Sequence, residues 1–490
     1  MRHLAVSISL AAGLTCVLAG CSSSPSMSGN PGNTPPPAGA VPVSLSIHDN
    51  PPANVTILRF KVLVTAATLT PADTTQPPVN MILSPQGVEL IHLQSESALL
   101  ANLMVPAGQY TGLSATFANP EMTIFNQTGQ TLTVGTQSCP ANQVCMIMPA
   151  LNQATAMVQA PTAPFPLTLS ATAPLALLLH FDVNASVQND LSVTPTIDLA
   201  PLPVPPTARP ERMHLIGIVS AVSSPTFTLQ VGLSGQTSTI STDSNTQFDF
   251  GGSCMAENFS CLMTGQVVET NVNVLSDGTL DASKVKLLQP RNHPALLGTI
   301  VGVNVAQNQF QFVIGDRECG PQQFPQAAMG IAVTVQLAAS ATFTVDSDGV
   351  TLPPGVSFAS VQDLMVGQTV EFQPQLPVSV SGTPPNVQLT ISAAGVQLEP
   401  SQLTATVSAV NASATPAAFV LGMLPPLFTG ANVSMIQVDV VAGTQFDDAS
   451  GIGSLSTGQK VSVSGLLFNT PTQPTIVAEE VKLRAADGQD

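Results

Sequence analysis

The 490-residue sequence predicts an all-β protein, with one β domain followed by three tandem small β modules. Three observations carry this expectation. In "VTILRFKVLVTAATL", Leu58, Phe60, Val62 and Val64 alternate with Arg59, Lys61 and Leu63, the period of two of a strand with one face packed and one in solvent. No segment carries an apolar stripe at helical spacing for three turns, and the 43 prolines suit strand ends, edges and loops rather than helix interiors. A third signal is a pattern that recurs three times in the C-terminal half, taken up below.

The chain opens with Arg2 and an uncharged apolar run from Leu4 to Val17, followed by Leu18, Ala19, Gly20 and Cys21. About 14 apolar residues are too few to span a bilayer, so the run reads as an export signal over residues 1–20. It resembles the bacterial lipoprotein signal, which ends in Leu, small, small, Cys. That resemblance implies lipidation of Cys21 by a thioether-linked diacylglycerol, with a further acyl chain such as palmitate on its amino group. Residues 21–42 are rich in Ser, Gly, Asn and Pro and read as a flexible tether, with a reach of about 25 Å. Ser22 in place of Asp after the anchor implies, by the same resemblance, the outer membrane or periplasm of a two-membrane cell envelope.

Composition narrows the function. Charged residues make up only 8% of the chain, and the formal net charge is −17. Such a balance repels phosphate backbones, so no nucleic-acid partner is expected. With no Trp and one Tyr, the chain also lacks the exposed rings that stack on bases or sugars. Cys16 leaves with the signal, and Cys139 with Cys145, and Cys254 with Cys261, each close a short loop. In an oxidising compartment these spacings predict two local disulfides; neither pair has the two-residue spacing of a zinc knuckle, and no metal or cofactor is expected. Cys319 is left over as a buried or capped thiol.

Residues 43–200 form the first domain, and the proline-rich "IDLAPLPVPPTARPER" marks a stiff linker at 201–212. The repeat then opens as "HLIGIVSAV", "ALLGTIVGV" and "QLTATVSAV", at His214, Ala295 and Gln402. Each copy continues to an aromatic, Phe248, Phe343 or Phe446, expected to plug its own core. Each then turns at Gly265, Gly367 or Gly458, where glycine permits the positive φ of a tight turn before a Gln and a strand. The copies occupy residues 213–291, 292–400 and 401–486, long enough to close as separate small barrels or sandwiches.

The first domain, with "VELIHLQSESALLANLMVPAGQYTGLSATF" and "LLLHFDVNASV", resembles an uncharacterised lipoprotein domain of the DUF 4382 type. This implies a transthyretin-like or carbohydrate-binding-like β-sandwich. The three copies resemble a second uncharacterised family, of the DUF 5666 type, which implies small OB-like barrels. Neither resemblance implies an activity.

Candidate chemistry is sparse. His48 with Asp49 and His180 with Asp182 are the close His–carboxylate pairs; Asp182 and His180 share a strand face and are expected to satisfy each other. His92, His214 and His293 stand alone. "VDSDGV", with Asp346 and Asp348, imitates the start of a calcium loop but lacks its later ligands. The expectation is therefore a non-catalytic, lipid-anchored envelope protein that displays its β domains as a stiff rod, a spacer or a binding surface for a protein or glycan partner. The alternative is an extracytoplasmic ligand-binding or hydrolytic domain at residues 43–200, using His48, Asp49 or His180.

Overall fold

A computed structural model of the protein describes residues 40–49, 56–82, 84–93, 98–170, 175–202, 211–231, 236–288, 295–317, 330–347, 350–381, 388–447 and 449–484. The export segment, Cys21, the tether up to residue 39, most of the proline-rich linker and Cys319 lie outside these residues.

The first domain is a sandwich of two sheets. One has the order Ile197–Pro201, Leu175–Phe181, Ala40–Asp49, Ala98–Pro106, and its central pair, Ala40–Asp49 with Leu175–Phe181, is parallel. The other is built on the long antiparallel pair Thr56–Pro71 and Gly108–Phe125. Phe60, Phe117 and Phe181 meet edge to face between the sheets, with centroids 5.1 to 6.1 Å apart. The "PAGQY" turn is closed by the Tyr110 hydroxyl, which donates to the Pro106 carbonyl at 2.8 Å.

The alternation expected in Thr56–Pro71 holds from Phe60 onward but not before it. A register shift between Ile57 and Arg59 turns Leu58 out of the sandwich core. Leu58 packs instead with the third barrel, and Arg59, expected in solvent, is buried. Arg59 Nε lies 3.2 Å from Glu89 and Nη1 3.6 Å from Glu121, so the buried charge is paired.

Three five-stranded barrels follow, with one shared topology. Their strands are Glu211–Ser223, Thr226–Val231, Gln236–Ser241, Val267–Val274 and Leu280–Leu287 in the first barrel. Leu296–Asn304, Gln309–Arg317, Ala332–Val345, Thr369–Phe372 and Gln388–Glu399 form the second, and Ser401–Asn411, Ala417–Gly422, Ile436–Asp447, Lys460–Phe468 and Thr475–Leu483 the third. In each, the first strand pairs with the second and the fourth, and the fifth runs parallel to the third and closes the barrel. This is the strand order of an OB-like fold. A single residue, Pro400, separates the last strand of the second barrel from the first strand of the third.

The glycine turns are built alike. Gly265, Gly367 and Gly458 have φ of 91°, 84° and 92°, a region open to glycine, and their N–H groups donate to Val219, Ile300 and Val407 at 2.8 Å. The following Gln side chain accepts from a backbone N–H three residues before it, in Met263, Met365 and Ser456. Phe446 fills its core as expected, whereas Phe248 and Phe343 are only half-buried at the edge of theirs. Phe250, two residues on, is fully buried in the first barrel, as is Phe227; the strand Gln247–Asp249 ends just before Phe250, which turns inward from the loop.

The four bodies do not line up as a rod. The short helix Pro426–Gly430 of the third barrel returns to the sandwich, where Leu427 N–H donates to Thr56 Oγ1 across 371 residues of sequence and Gln127 Nε2 donates to the Pro426 carbonyl at 2.6 Å. Leu58, Phe125 and Val144 of the sandwich join Leu427 and Phe428 in one apolar cluster, together with Met365 and Val366 of the second barrel. Thr123 of the sandwich donates to Gly330 of the second barrel at 2.7 Å, and Ala176, Leu178 and Leu202 join the first barrel's core cluster. Apolar surface left on the outside of each barrel thus finds a neighbour, which a linear array would leave in water.

The glycine turns separate conformational cost from steric cost. A Cβ on Gly265 would meet open space, but one on Gly367 would lie 2.3 Å from the Phe428 ring. Gly265→Ala is expected to destabilise by about 1 kcal/mol, the cost of positive φ alone, and Gly367→Ala by about 3 kcal/mol or more. Melting temperatures of the two variants, side by side, check the difference.

Candidate functional site

His180 has a partner other than the expected one. Its Nδ1 lies 3.3 Å from Asp198 Oδ1, on the neighbouring strand where the two residues are directly opposite. Asp182 instead caps the turn Val183–Ser186, accepting from Ala185 N–H at 2.9 Å, because the strand ends at Phe181 and the chain turns immediately after it. On the other side of His180, the parallel register places the backbone of His48 opposite it, with Asp49 opposite Phe181. His48, His180 and Asp198 therefore occupy one row across three strands, a juxtaposition that sequence spacing does not show. His180 and Asp198 are both substantially exposed on this sheet.

The four cysteines among the described residues fall into two bonded loops. Cys139 is joined to Cys145 and Cys254 to Cys261, with Cα separations of 5.7 and 5.9 Å. The buried Asn126 side chain braces the first loop, donating to the Gln130 and Cys139 carbonyls at 2.7 and 2.9 Å. The second loop holds Asn258, whose carboxamide oxygen accepts from Ser260 N–H at 3.0 Å and starts the turn Phe259–Cys261.

The densest electrostatic arrangement lies between the first and second barrels. His214 Nε2 is 2.8 Å from Glu269 Oε1, and Lys286 reaches both Glu269 at 3.8 Å and Asp346 of the second barrel at 3.3 Å. Asp346, read from sequence as a calcium mimic, is thus the acceptor for a lysine. Gln397 completes the group, donating to Glu399 at 2.8 Å. Burial pushes Glu269 upward, but the hydrogen bond and charge of His214, with Lys286 and Lys284, outweigh it and hold the carboxyl down at about 2. Glu399 behaves oppositely: burial and the neighbouring Asp346 and Glu371 carboxylates lift it to about 9, against the smaller opposing effect of Lys286.

These groups make a polar seam between the two barrels. Among the described residues no set of three or more His, Cys, Asp or Glu is placed to hold a metal ion, and no aromatic side chain is among the largely exposed apolar ones. The outward side of the first barrel's opening strand offers His214, Ile216, Ile218 and Ser220, and its third strand Thr237 and Thr239.

The two carboxylates have opposite signs of linkage. The Glu269 contribution is present above the ordinary glutamate range and is lost as pH falls toward about 2. The raised Glu399 favours the fold at low pH, and that advantage fades as pH rises from about 4.5 through about 9. Glu399→Gln keeps an acceptor for Gln397 and removes the ionisation. Its melting temperature is expected to exceed that of the parent at pH 8 and to match it at pH 4.5, as differential scanning calorimetry at both pH values would read.

Residues 216–286 and 425–482, in the first and third barrels, match the model of a family described as "Domain of unknown function (DUF5666)". No curated protein matches the sequence. Among solved structures, "drosophila Unr CSD456" is similar over 56% of this chain and 98% of its own at 10% identity, with a TM-score of 0.12, too low for any inference from the superposition.

Proposed function

We propose that the protein is a non-catalytic, lipid-anchored component of the bacterial cell envelope that presents its β bodies as a spacer or binding surface. The observation that supports this best is how the side chains are used. Part of the apolar surface left over from the cores is used in seams between bodies, and exposed strand positions such as Ser220, Thr237 and Thr239 carry small hydroxyl groups. The lipoprotein-like "LAGC" ending at Cys21 and the polar run to residue 39 supply an anchor and a tether for such a body. Thioether-linked acyl chains on Cys21 would hold it at the membrane, at the outer membrane or on the periplasmic side, with the sandwich of the DUF 4382 type nearest the lipid. The body is a packed unit, so the spacer reading takes the form of a block held away from lipid by its tether. A partner would be a protein or glycan engaging several shallow faces at once.

A second reading retains some support from the row of His48, His180 and Asp198. A base beside a carboxylate on an exposed sheet could assist ligand binding or hydrolysis in the sandwich. His180→Ala that abolishes a turnover found in a hydrolase screen would establish it over the first.

The anchor is tested directly. Cys21→Ala is expected to move the protein from the detergent-requiring membrane fraction to the soluble envelope fraction. Retention in the membrane without Cys21 overturns the proposal, and pull-down with the soluble body from envelope extract then identifies what it holds.

A further inference from the structure

Among the described residues, seven of the eleven largely exposed big apolar side chains are methionines, although Leu and Val are each far commoner in the chain. Five of the seven, Met148, Met157, Met255, Met263 and Met423, have more than half of their surface in solvent. Met104 and Met435 are nearly as open. By contrast Met81, Met122 and Met213 are sealed in cores. The exposed apolar surface is therefore selectively thioether, not simply apolar.

Their placement is also selective. Met255 follows Cys254 directly and is 99% exposed, and Met263 stands two residues beyond Cys261, so the second disulfide loop is flanked by open thioethers. Met148 stands three residues beyond Cys145, with the half-buried Met146 between them. The backbone around these side chains is held by bonds that do not involve sulfur. Met148 N–H donates to Gln137 at 2.7 Å, and Met263 N–H to Gln266 at 2.7 Å. A change of polarity at these sulfurs leaves the fold's hydrogen bonds untouched. In a core the same change would disrupt packing.

We propose that these methionines form a sacrificial sulfur surface that consumes oxygen-transferring two-electron oxidants, hypohalous acids and peroxides, before they reach the core. With hypochlorous acid, the thioether sulfur gives up two electrons and gains the oxygen as a sulfoxide, while chlorine leaves as chloride and a proton is released. One oxidant is removed per methionine, and the product is a polar side chain already in water. The proposal stands apart from the membrane anchor, since it depends only on exposure.

The test uses the full mature chain with its free thiol alkylated, titrated with hypochlorous acid and read by peptide mass spectrometry. Met104, Met148, Met157, Met255, Met263, Met423 and Met435 are expected to gain one oxygen each at least tenfold faster than Met81, Met122 and Met213, with the melting temperature unchanged within about 2 °C over this phase. The function is read by mixing the protein with a thiol enzyme sensitive to the same oxidant. The parent is expected to preserve the enzyme at several-fold higher oxidant than a variant carrying Leu at all seven positions. Should that variant misfold, protein whose seven sulfurs are already sulfoxides replaces it as the spent control. Equal protection by parent and control, or oxidation of core and surface methionines at one rate, overturns the proposal.

Discussion

The way the sandwich and the second and third barrels meet depends on one wedge of side chains, the helix Pro426–Gly430 with Leu427 and Phe428 at its centre. Phe428 lies over Gly367 so closely that the glycine has no room for a Cβ, and Leu427 meets Leu58 and Thr56 of the sandwich. Three bodies share this junction, so removing it would expose apolar surface on each at once. The outward turn of Leu58 belongs to the same arrangement. Without the register shift near Ile57, the strand would present Leu58 to its own core and withdraw it from the contact with the third barrel.

Most of the fold was legible in the sequence. Period-two patterning, proline content and the threefold recurrence were enough to foresee small β barrels, and Gly265, Gly367 and Gly458 were legible as turns because only positive φ explains a glycine at that repeated point. What followed each glycine was not. The Gln looked like a polar strand start, yet its side chain ties the turn to the preceding backbone. Phe248 and Phe343 were misjudged because a repeat alignment marks equivalent positions, whereas burial depends on each loop's path; in the first barrel the loop carries Phe250 inward instead. Strand periodicity is a local signal and could not report that Leu58 and Arg59 would be covered by bodies hundreds of residues away.

The candidate site was less legible for a related reason. Adjacent positions drew attention to His180 with Asp182, but a carboxylate at a strand end caps the next turn, and the residue that meets His180 is its cross-strand neighbour Asp198. Likewise the apparent calcium loop at Asp346 is half of a contact whose other half, Lys286, lies in another module. In a chain with few charges, several of those present are concentrated where bodies meet: Arg59 with Glu89 and Glu121 beside Gly330, and Lys286 between two barrels. They specify how neighbours meet more than they decorate the outside.

The first described strand, Ala40–Asp49, is an interior strand of its sheet, paired from Val43 to Asp49 with Leu175–Phe181 on one side and from Ala40 to Ile47 with Ala98–Pro106 on the other. Tension arriving along the N-terminal segment therefore runs parallel to the strand and loads both ladders together in shear. An edge strand pulled the same way would load one ladder only, and a hairpin end would unzip one rung at a time. A body built this way resists force applied through that strand.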